Sequence, residues 1–342
     1  MNTQYLFNIF AFMALQLYNP FDNLYFDDKT CFLTGVDLKN SEETITVFPE
    51  WVMKQYNLEN SSFTMMDNIT SIAYKNLKLP CSENVKAAFL QLDDEIRNAF
   101  NGGYESVKAL DTQKLFLWMG KMVYGVLYND LLIEKKRLEQ RKLELQLSAR
   151  LKERMSLFHL MLQSLVAPIT FGELKPWSIS VVKLKYSKDI FNYHDDTIKL
   201  LFSLGMNGFG IIACLQDNGV VTHEQKDILD KIGETVLHPI QFEELYARFL
   251  YATFLLQYKV NYKIEQNENK LYIEALPITA ERNKLLFGAR NNNMYAQVLA
   301  DLWSPWGLKK KDILNFPDEP VSFLEDATTY ELIDPEKIEF PF

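Results

Sequence analysis

Apolar positions change their spacing twice along the chain, and the changes mark out its elements. Between residues 19 and 80, short apolar runs are cut by Asn19-Pro20, Asp27-Asp28, Gly35 and Asn60 to Ser62, the punctuation of brief strands and turns. One helix is predicted to open near Pro49, because proline suits the first helical position. From Ser82 the period is helical: Val85, Ala88, Phe89, Leu92, Ile96, Ala99 and Phe100 recur at i, i+3, i+4 behind a Ser82 cap. Asn101-Gly102-Gly103 ends that run. A second helix opens at Asp111 and buries Leu115, Phe116, Met119, Met122, Val123, Val126 and Leu127, with Gly120 and Gly125 letting a neighbour approach. Leu131 to Met155 carries the longest uninterrupted helical signal. There Leu143, Leu147, Leu151 and Met155 recur every four residues, and Leu131, Leu138 and Leu145 every seven, predicting one long helix with an apolar stripe.

After Pro168 alternation replaces the helical period. Strands are predicted at Trp177 to Leu184, Thr197 to Leu204, Phe209 to Leu215 and Val220 to Val221, with Asp217-Asn218-Gly219 as a hairpin turn. Helices follow at about 224–237 and 240–256, then a hairpin from Gln257 to Leu276 turning at Asn267 to Asn269, and a last helix near 292–302. The expected fold class is α+β. It comprises a turn-rich N-terminal module (1–105), a helical segment with the long basic helix (106–168), and an antiparallel sheet with helices and an acidic tail (169–342). A boundary near 165–170 is the best cut, although the long helix could fuse both halves.

Charge narrows the function classes. The chain of 342 residues has a net charge of −9, which argues against a general nucleic-acid binder. Leu131 to Met155 runs the other way, with eight basic and four acidic residues. Such a run reads first as a solvated face, next as a contact for a partner or second copy, and last as a nucleic-acid surface. The three cysteines are too few for a disulfide framework and fit a reducing, cytoplasmic setting. Tyr5 to Tyr18 is apolar, but it lacks a basic start and is too short to span a bilayer. It is expected to dock on the core as a helix or strand, or else to serve as a peripheral membrane or partner-binding segment. At the other end, 317–342 holds eight acidic residues and one lysine, with Phe323, Tyr330, Phe340 and Phe342 placed to pin it.

The most informative string is Cys31-Phe32-Leu33-Thr34-Gly35. A zinc knuckle reads Cys-x-x-Cys-Gly, where a tight turn aims both sulfurs at one metal and glycine relieves the strain. Here the turn remains but Thr34 replaces the second thiol. About 50 residues on, Leu79-Pro80-Cys81-Ser82-Glu83-Asn84-Val85 stands where an opposing pair is expected, again with one cysteine, whether Cys81 is paired with Asn84 or Ser82 with Val85. Between them lies Thr46-Val47-Phe48-Pro49-Glu50-Trp51.

This order is similar to that of the His-Asn-His nuclease superfamily. More closely it resembles a group of uncharacterised bacterial proteins with a Cys-x-x-Cys-Gly knuckle, a Glu-His-Val-Phe-Pro-x-Trp-like segment and a Pro-Cys turn before a helix. The resemblance extends into Leu115 to Leu127, Pro176-Trp177-Ser178 and Gly210 to Asp217, though only 31–100 carries an interpretable motif. It implies a ββα-metal or treble-clef core. It also implies that the position before Val-Phe-Pro, here Thr46, held the histidine that acts as base or lies beside the metal. Threonine is no base at neutral pH, and Thr34 is no zinc ligand. The resemblance therefore implies a scaffold whose metal and catalytic groups are lost, with Cys31, Thr34, Thr46, Cys81 and Asn84 marking the degenerate site. The same cysteines also read as two buried apolar residues.

Other reactive residues are isolated. His159 falls in a helical apolar pattern, His194-Asp195-Asp196 reads as a polar strand-end turn, His223 as a helix start, and His238 precedes Pro239. Gly205-x-x-Gly208-x-Gly210 joins two strands, so it cannot cradle a phosphate at a helix start. Arg290 to Asn293 reads as a cap and turn, or as a ligand loop. Cys214 is expected to be inert. No catalytic residue, metal or cofactor is assigned. Two functions remain: a non-catalytic interaction or scaffold protein, or a divalent-metal nuclease or other nucleic-acid-processing enzyme using carboxylates such as Asp93, Asp94, Asp195 and Asp196.

Overall fold

The computed structural model describes residues 17–40, 43–267, 269–279, 285–315 and 319–340. The apolar stretch Tyr5 to Tyr18, except its last two residues, and Phe342 lie outside the described residues. In the N-terminal region, β1 (Thr44–Thr46) leads into α1 (Glu50–Gln55), then a hairpin of β2 (Ser62–Thr64) and β3 (Ser71–Ala73), and β4 (Lys78–Pro80), which returns antiparallel to β1. Next comes α2 (Glu83–Asn101), with its apolar positions turned inward, ending at Gly102 and at Gly103, whose φ is +74°. A short α3 (Tyr104–Lys108) precedes α4 (Thr112–Gln140), which starts where Asp111 accepts a hydrogen bond from the Gln113 amide at 2.8 Å.

From Leu115 to Tyr128 every residue of α4 is buried, so this is a central helix, covered on all sides and apolar but for Lys121 and the tyrosine hydroxyls. Gly125 lets it press on the N-terminal module, because a Cβ there would stand 2.6 Å from Val47 Cγ2. Gly120 does the same toward Leu162.

One long helix over Leu131 to Met155 does not form. The helix stops at Gln140, the chain turns at Lys142 with φ +59°, and α5 (Ala149–Leu162) begins behind Ser148, whose Oγ accepts from the Leu151 amide at 3.3 Å. A serine cap competes with helix continuation because its hydroxyl satisfies an amide that would otherwise need a preceding turn. The leucine stripe is broken accordingly: Leu145, Leu147 and Leu151 lie against the core, while Leu143 is 55% exposed.

The larger sheet is built from β6 (Ser178–Leu184), β7 (Phe191–Asp196), β8 (Leu201–Met206) and β9 (Phe209–Cys214), preceded in the chain by a short β5 (Ile169–Phe171). After it come α6 (Val220–Glu224), α7 (Lys226–Ile232), β10 (Val236–Leu237) and α8 (Pro239–Leu255). The sheet order is β10-β6-β9-β8-β7, antiparallel except for the β10–β6 edge pair. Alternation along β8 and β9 sorts side chains to two faces. Phe202, Leu204, Phe209 and Ile211 join the helical core of α2, α4 and α5, whereas Leu201, Ile212 and Cys214 join the layer of α8. Asn207 and Gly208, both at positive φ, close the β8–β9 hairpin. At Gly210 a Cβ would meet the Phe242 ring at 2.4 Å, so the glycine triplet serves sheet and helix packing. A further sheet pairs β11 (Tyr262–Gln266) and β12 (Leu271–Ala275) with β5, and α9 (Asn292–Leu302) packs on α8.

The α+β class holds, with further local corrections: the helix expected at about 224–237 is the end of α6, the short α7 and then β10. Val220 to Val221 is the start of α6 rather than a strand, because the Asp217 carboxylate accepts from the Gly219 and Val221 amides and so caps a helix. The strand expected from Thr197 begins at Leu201, and the polar stretch Phe191 to Asp196 forms β7 instead. His194 is therefore within a strand rather than in a turn, and His223 lies near the end of α6 rather than at a helix start. No helix among the described residues is long and apolar enough to cross a membrane.

Candidate functional site

The knuckle turn is formed by local hydrogen bonds. Thr30 bridges Asp37, the Cys31 amide donates to Val36 O at 2.8 Å, and the Gly35 amide donates to Cys31 O at 2.9 Å. Gly35 sits at φ +70°, and a Cβ there would strike the Tyr18 ring at 2.4 Å, so glycine is required twice. The Phe32 amide donates to Pro80 O at 2.8 Å and the Cys81 amide to Glu43 O at 2.8 Å, which ties the turn to the end of β4. These bonds bring Cys31 and Cys81 together just before α2, both fully buried and free.

The Cys81 Sγ–H donates to Ser82 O at 3.5 Å. The neighbouring Cys81 thiol, with the Ser82 hydroxyl and amide, favours the charged form of Cys31 and holds its thiol far below the ordinary range, while the Cys31 sulfur and burial push Cys81 up. Ser82 stands at the N-cap of α2, yet its side chain makes no capping bond; its hydroxyl is turned to sulfur instead. The Thr34 hydroxyl faces the same sulfur without a hydrogen bond of ordinary geometry. Asn84 is exposed in the first turn of α2, and Thr46 is half-buried on β1 opposite Lys78. Cys31, Thr34 and Cys81 thus converge, joined by Ser82, while Asn84 and Thr46 stand outside the cluster. A tetrahedral zinc shell needs four nitrogen, sulfur or carboxylate donors, and this set offers two. No group of three or more His, Cys, Asp and Glu side chains able to hold a metal occurs among the described residues. Around the cluster Phe32 stacks on Phe89 at 6.0 Å, with Leu33 and Phe48 fully buried.

His159, read from sequence only as part of an apolar pattern, lies beside this cluster. Its Nε2 is 2.8 Å from Phe32 O and its Nδ1 is 3.3 Å from Gln163 Nε2, so the ring is the neutral tautomer with the proton on Nε2. Burial pushes its pKa down to about 4. The signal that would have found it is a long-range one, since Phe32 and His159 are 127 positions apart.

The four carboxylates considered for a metal do not meet. Asp93 pairs with Lys121 and Asp94 with Arg97. Asp195 and Asp196 are consecutive on β7 and so point to opposite faces. Asp196 Oδ1 accepts from the Lys199 amide at 2.7 Å. His194 bonds Glu243 of α8 at 3.1 Å and stacks on Tyr246 at 5.3 Å; burial opposes its charge, but Glu243 outweighs that and raises its pKa. His238 caps α8 through Nδ1 and holds Phe340 O at 3.0 Å through Nε2.

These groups fix a pH dependence. Burial pushes Asp195 up to about 7 and Asp130 up to about 6, both from 3.8. Their contribution to stability is complete below pH 3.8 and lost as pH rises through 6 to 7. His159 acts in the opposite sense: its contribution is present above 6.5 and lost as pH falls through about 4. The thermal midpoint is expected to fall between pH 5 and pH 8, and Asp195→Asn should flatten that fall. An unchanged slope in the variant would exclude Asp195 as its source.

No protein-family model, curated protein or solved structure matches this chain.

Proposed function

We propose that the protein is a non-catalytic interaction or scaffold protein in which a degenerate His-Asn-His-like, treble-clef-like module persists as a structural unit. The observation that carries this reading is the meeting of a knuckle turn, the β1–β4 pair and the start of α2 around two thiols instead of four ligands. Cys81 and Ser82 stand beside the Cys31 sulfur where a metal would otherwise draw it. The position before Val-Phe-Pro is Thr46, which supplies no base. The partner is a protein or a second copy of this chain, met in a reducing cytoplasmic setting; the net charge of −9 disfavours nucleic acid.

Metal content and cleavage assays test the reading together. Protein purified without chelator should carry no tightly held zinc and should leave DNA and RNA intact with magnesium or manganese. One zinc per chain, lost in Cys31→Ser, would overturn the degenerate-site reading. Metal-dependent cleavage would put the nuclease reading in its place.

A further inference from the structure

A recess between α5, the β7–β8 turn and the C-terminal end of α8 collects more positive charge than acid. Arg150 and Arg154 stand one helical turn apart on α5, and Lys199 reaches in from the β7–β8 turn. Like charges at i, i+4 repel, so this placement costs stability unless something offsets it. Neither arginine has a carboxylate partner, and Lys199 has none, among the described residues; Lys259 at the rim is paired with Glu153. Arg154 is largely buried, with Nε donating to Gln216 Oε1 at 3.2 Å and Nη2 to Lys199 O at 2.7 Å. Of its five N–H donors, the remaining three have no protein acceptor among the described residues. Lys199 Nζ holds the Thr253 carbonyl at 3.3 Å and lies 4.5 Å from the Phe254 ring centre. Burial lowers the pKa of both Arg154 and Lys199, and Arg154 itself adds to the effect on Lys199.

Asp196 is the acid whose field reaches Arg154 and Lys199. Asp217, the one acid on the wall, has both oxygens occupied by Ser178, Gly219 and Val221. Three cations against Asp196 and Asp217 leave a surplus of positive charge, and the three unused N–H donors of Arg154 together with Arg150 and Lys199 exceed what the two oxygens of a carboxylate take up but match the oxygens of a phosphate. The cavity measures about 70 Å³, room for roughly five water-sized groups, so it takes in a phosphate and leaves the body of a larger ligand at the mouth, beside exposed Arg150. Leu157, Val221, Leu256 and Val260 form an apolar wall beside it. We propose that this recess is a binding site for the phosphate of a small phosphate monoester with an apolar body, gripped by Arg150, Arg154 and Lys199. It stands independently of the reading of the cysteine cluster.

Calorimetric titration of the full chain with phenyl phosphate tests it, with inorganic phosphate, benzoate and a single-stranded oligonucleotide as comparison probes. Phenyl phosphate should bind once per chain and raise the thermal midpoint, with inorganic phosphate competing and benzoate at least tenfold weaker. Arg150→Gln and Lys199→Gln should each weaken binding at least tenfold while the ligand-free midpoint and circular dichroism are retained. Arg150 is exposed, so that variant decides the matter even where Lys199→Gln folds poorly. Absence of saturable binding, full affinity in Arg150→Gln, or benzoate equal to phenyl phosphate would each overturn the proposal. Oligonucleotide binding that phenyl phosphate does not displace, with no saturable binding of phenyl phosphate itself, would overturn it in favour of a nucleic-acid surface.

Discussion

Asp93→Ala is expected to destabilise the protein by about 3–5 kcal/mol, the cost of removing one partner from a buried ion pair. Lys121 lies in the fully buried stretch of α4 with its side chain 0% exposed, and its ammonium is 3.1 Å and 3.4 Å from the two Asp93 oxygens on α2. The Phe89 ring lies 5.5 Å from that ammonium, and among the described residues Asp93 is its sole salt-bridge partner. Without Asp93, an ammonium remains in the seam between α2 and α4 with no countercharge. Asp93→Asn should recover part of the loss, because an amide oxygen still accepts a hydrogen bond. The pair replacement Asp93→Leu with Lys121→Met should recover most of it, since well-packed apolar groups serve such sites as well as a salt bridge does. Urea denaturation of the three variants reads this directly. A loss below about 1 kcal/mol in Asp93→Ala would show that the pair does not hold the seam. The same geometry removes Asp93 from the carboxylates free to hold a catalytic metal.

Lys121 also shows where sequence reading stops. The apolar period of α4 is plain from Leu115 to Leu127, and a lone lysine within it demands a buried acid, but nothing local says which one. The helices at Ser82 and Asp111, the hairpin of β11 and β12, and the helix over 292–302 were legible because their caps, periods and turn residues lie within a few positions of each other. The break at 141–148 was not, since Arg141 and Lys142 are good helix formers and only the Ser148 cap and the packing of Leu147 and Leu151 decide against continuation. β7 escaped for the opposite reason. Asn192, His194, Asp195 and Asp196 carry no strand pattern, and the edge strand is held by hairpin pairing with the adjacent β8 and by Glu243, 49 positions away from His194. In the cysteine cluster, the closeness of Cys31 and Cys81 was implied by a resemblance. The roles of Ser82 and His159 depend on contacts that no spacing encodes, and the anion recess gathers Arg150, Arg154 and Lys199 from elements whose meeting only the fold determines.

The acidic tail supplies the second large effect. Phe323 packs edge-on to Trp303 at 4.9 Å and to Phe340 at 5.4 Å, whereas Tyr330 is exposed, so aromatic pinning accounts for part of its attachment. Polar anchors on α8 add to it: His238 holds Phe340 O, Gln241 Nε2 donates to Phe323 O at 2.8 Å and to Ile333 O at 2.9 Å, and the densest set converges on Glu244, a buried carboxylate. It accepts from the Phe323 amide at 2.6 Å, the Leu324 amide at 3.0 Å and the Ser322 hydroxyl at 2.6 Å, and pairs with Arg248 at 3.1 Å. Arg248 in turn holds Glu325 at 2.6 Å, so one acid and one arginine fix four consecutive tail residues. Hydrogen bonds to a charged group contribute about 1.5–3 kcal/mol each. Glu244→Ala also leaves the Phe323 amide without its acceptor and the Arg248 guanidinium short of one, while the Leu324 amide keeps Ser322 Oγ at 3.1 Å. The expected result is a loss of about 3–5 kcal/mol and release of the tail. Chymotrypsin should then cut near Phe323 at least tenfold faster than in the parent protein, and Trp303 fluorescence should shift to the red as its cover departs. Glu244→Gln should fall between, because the amide keeps one acceptor but turns its NH₂ toward donors. If Glu244→Ala resisted chymotrypsin as the parent does, the aromatic contacts of Phe323 and Phe340 would be sufficient to hold the tail, and the carboxylate would be a passenger.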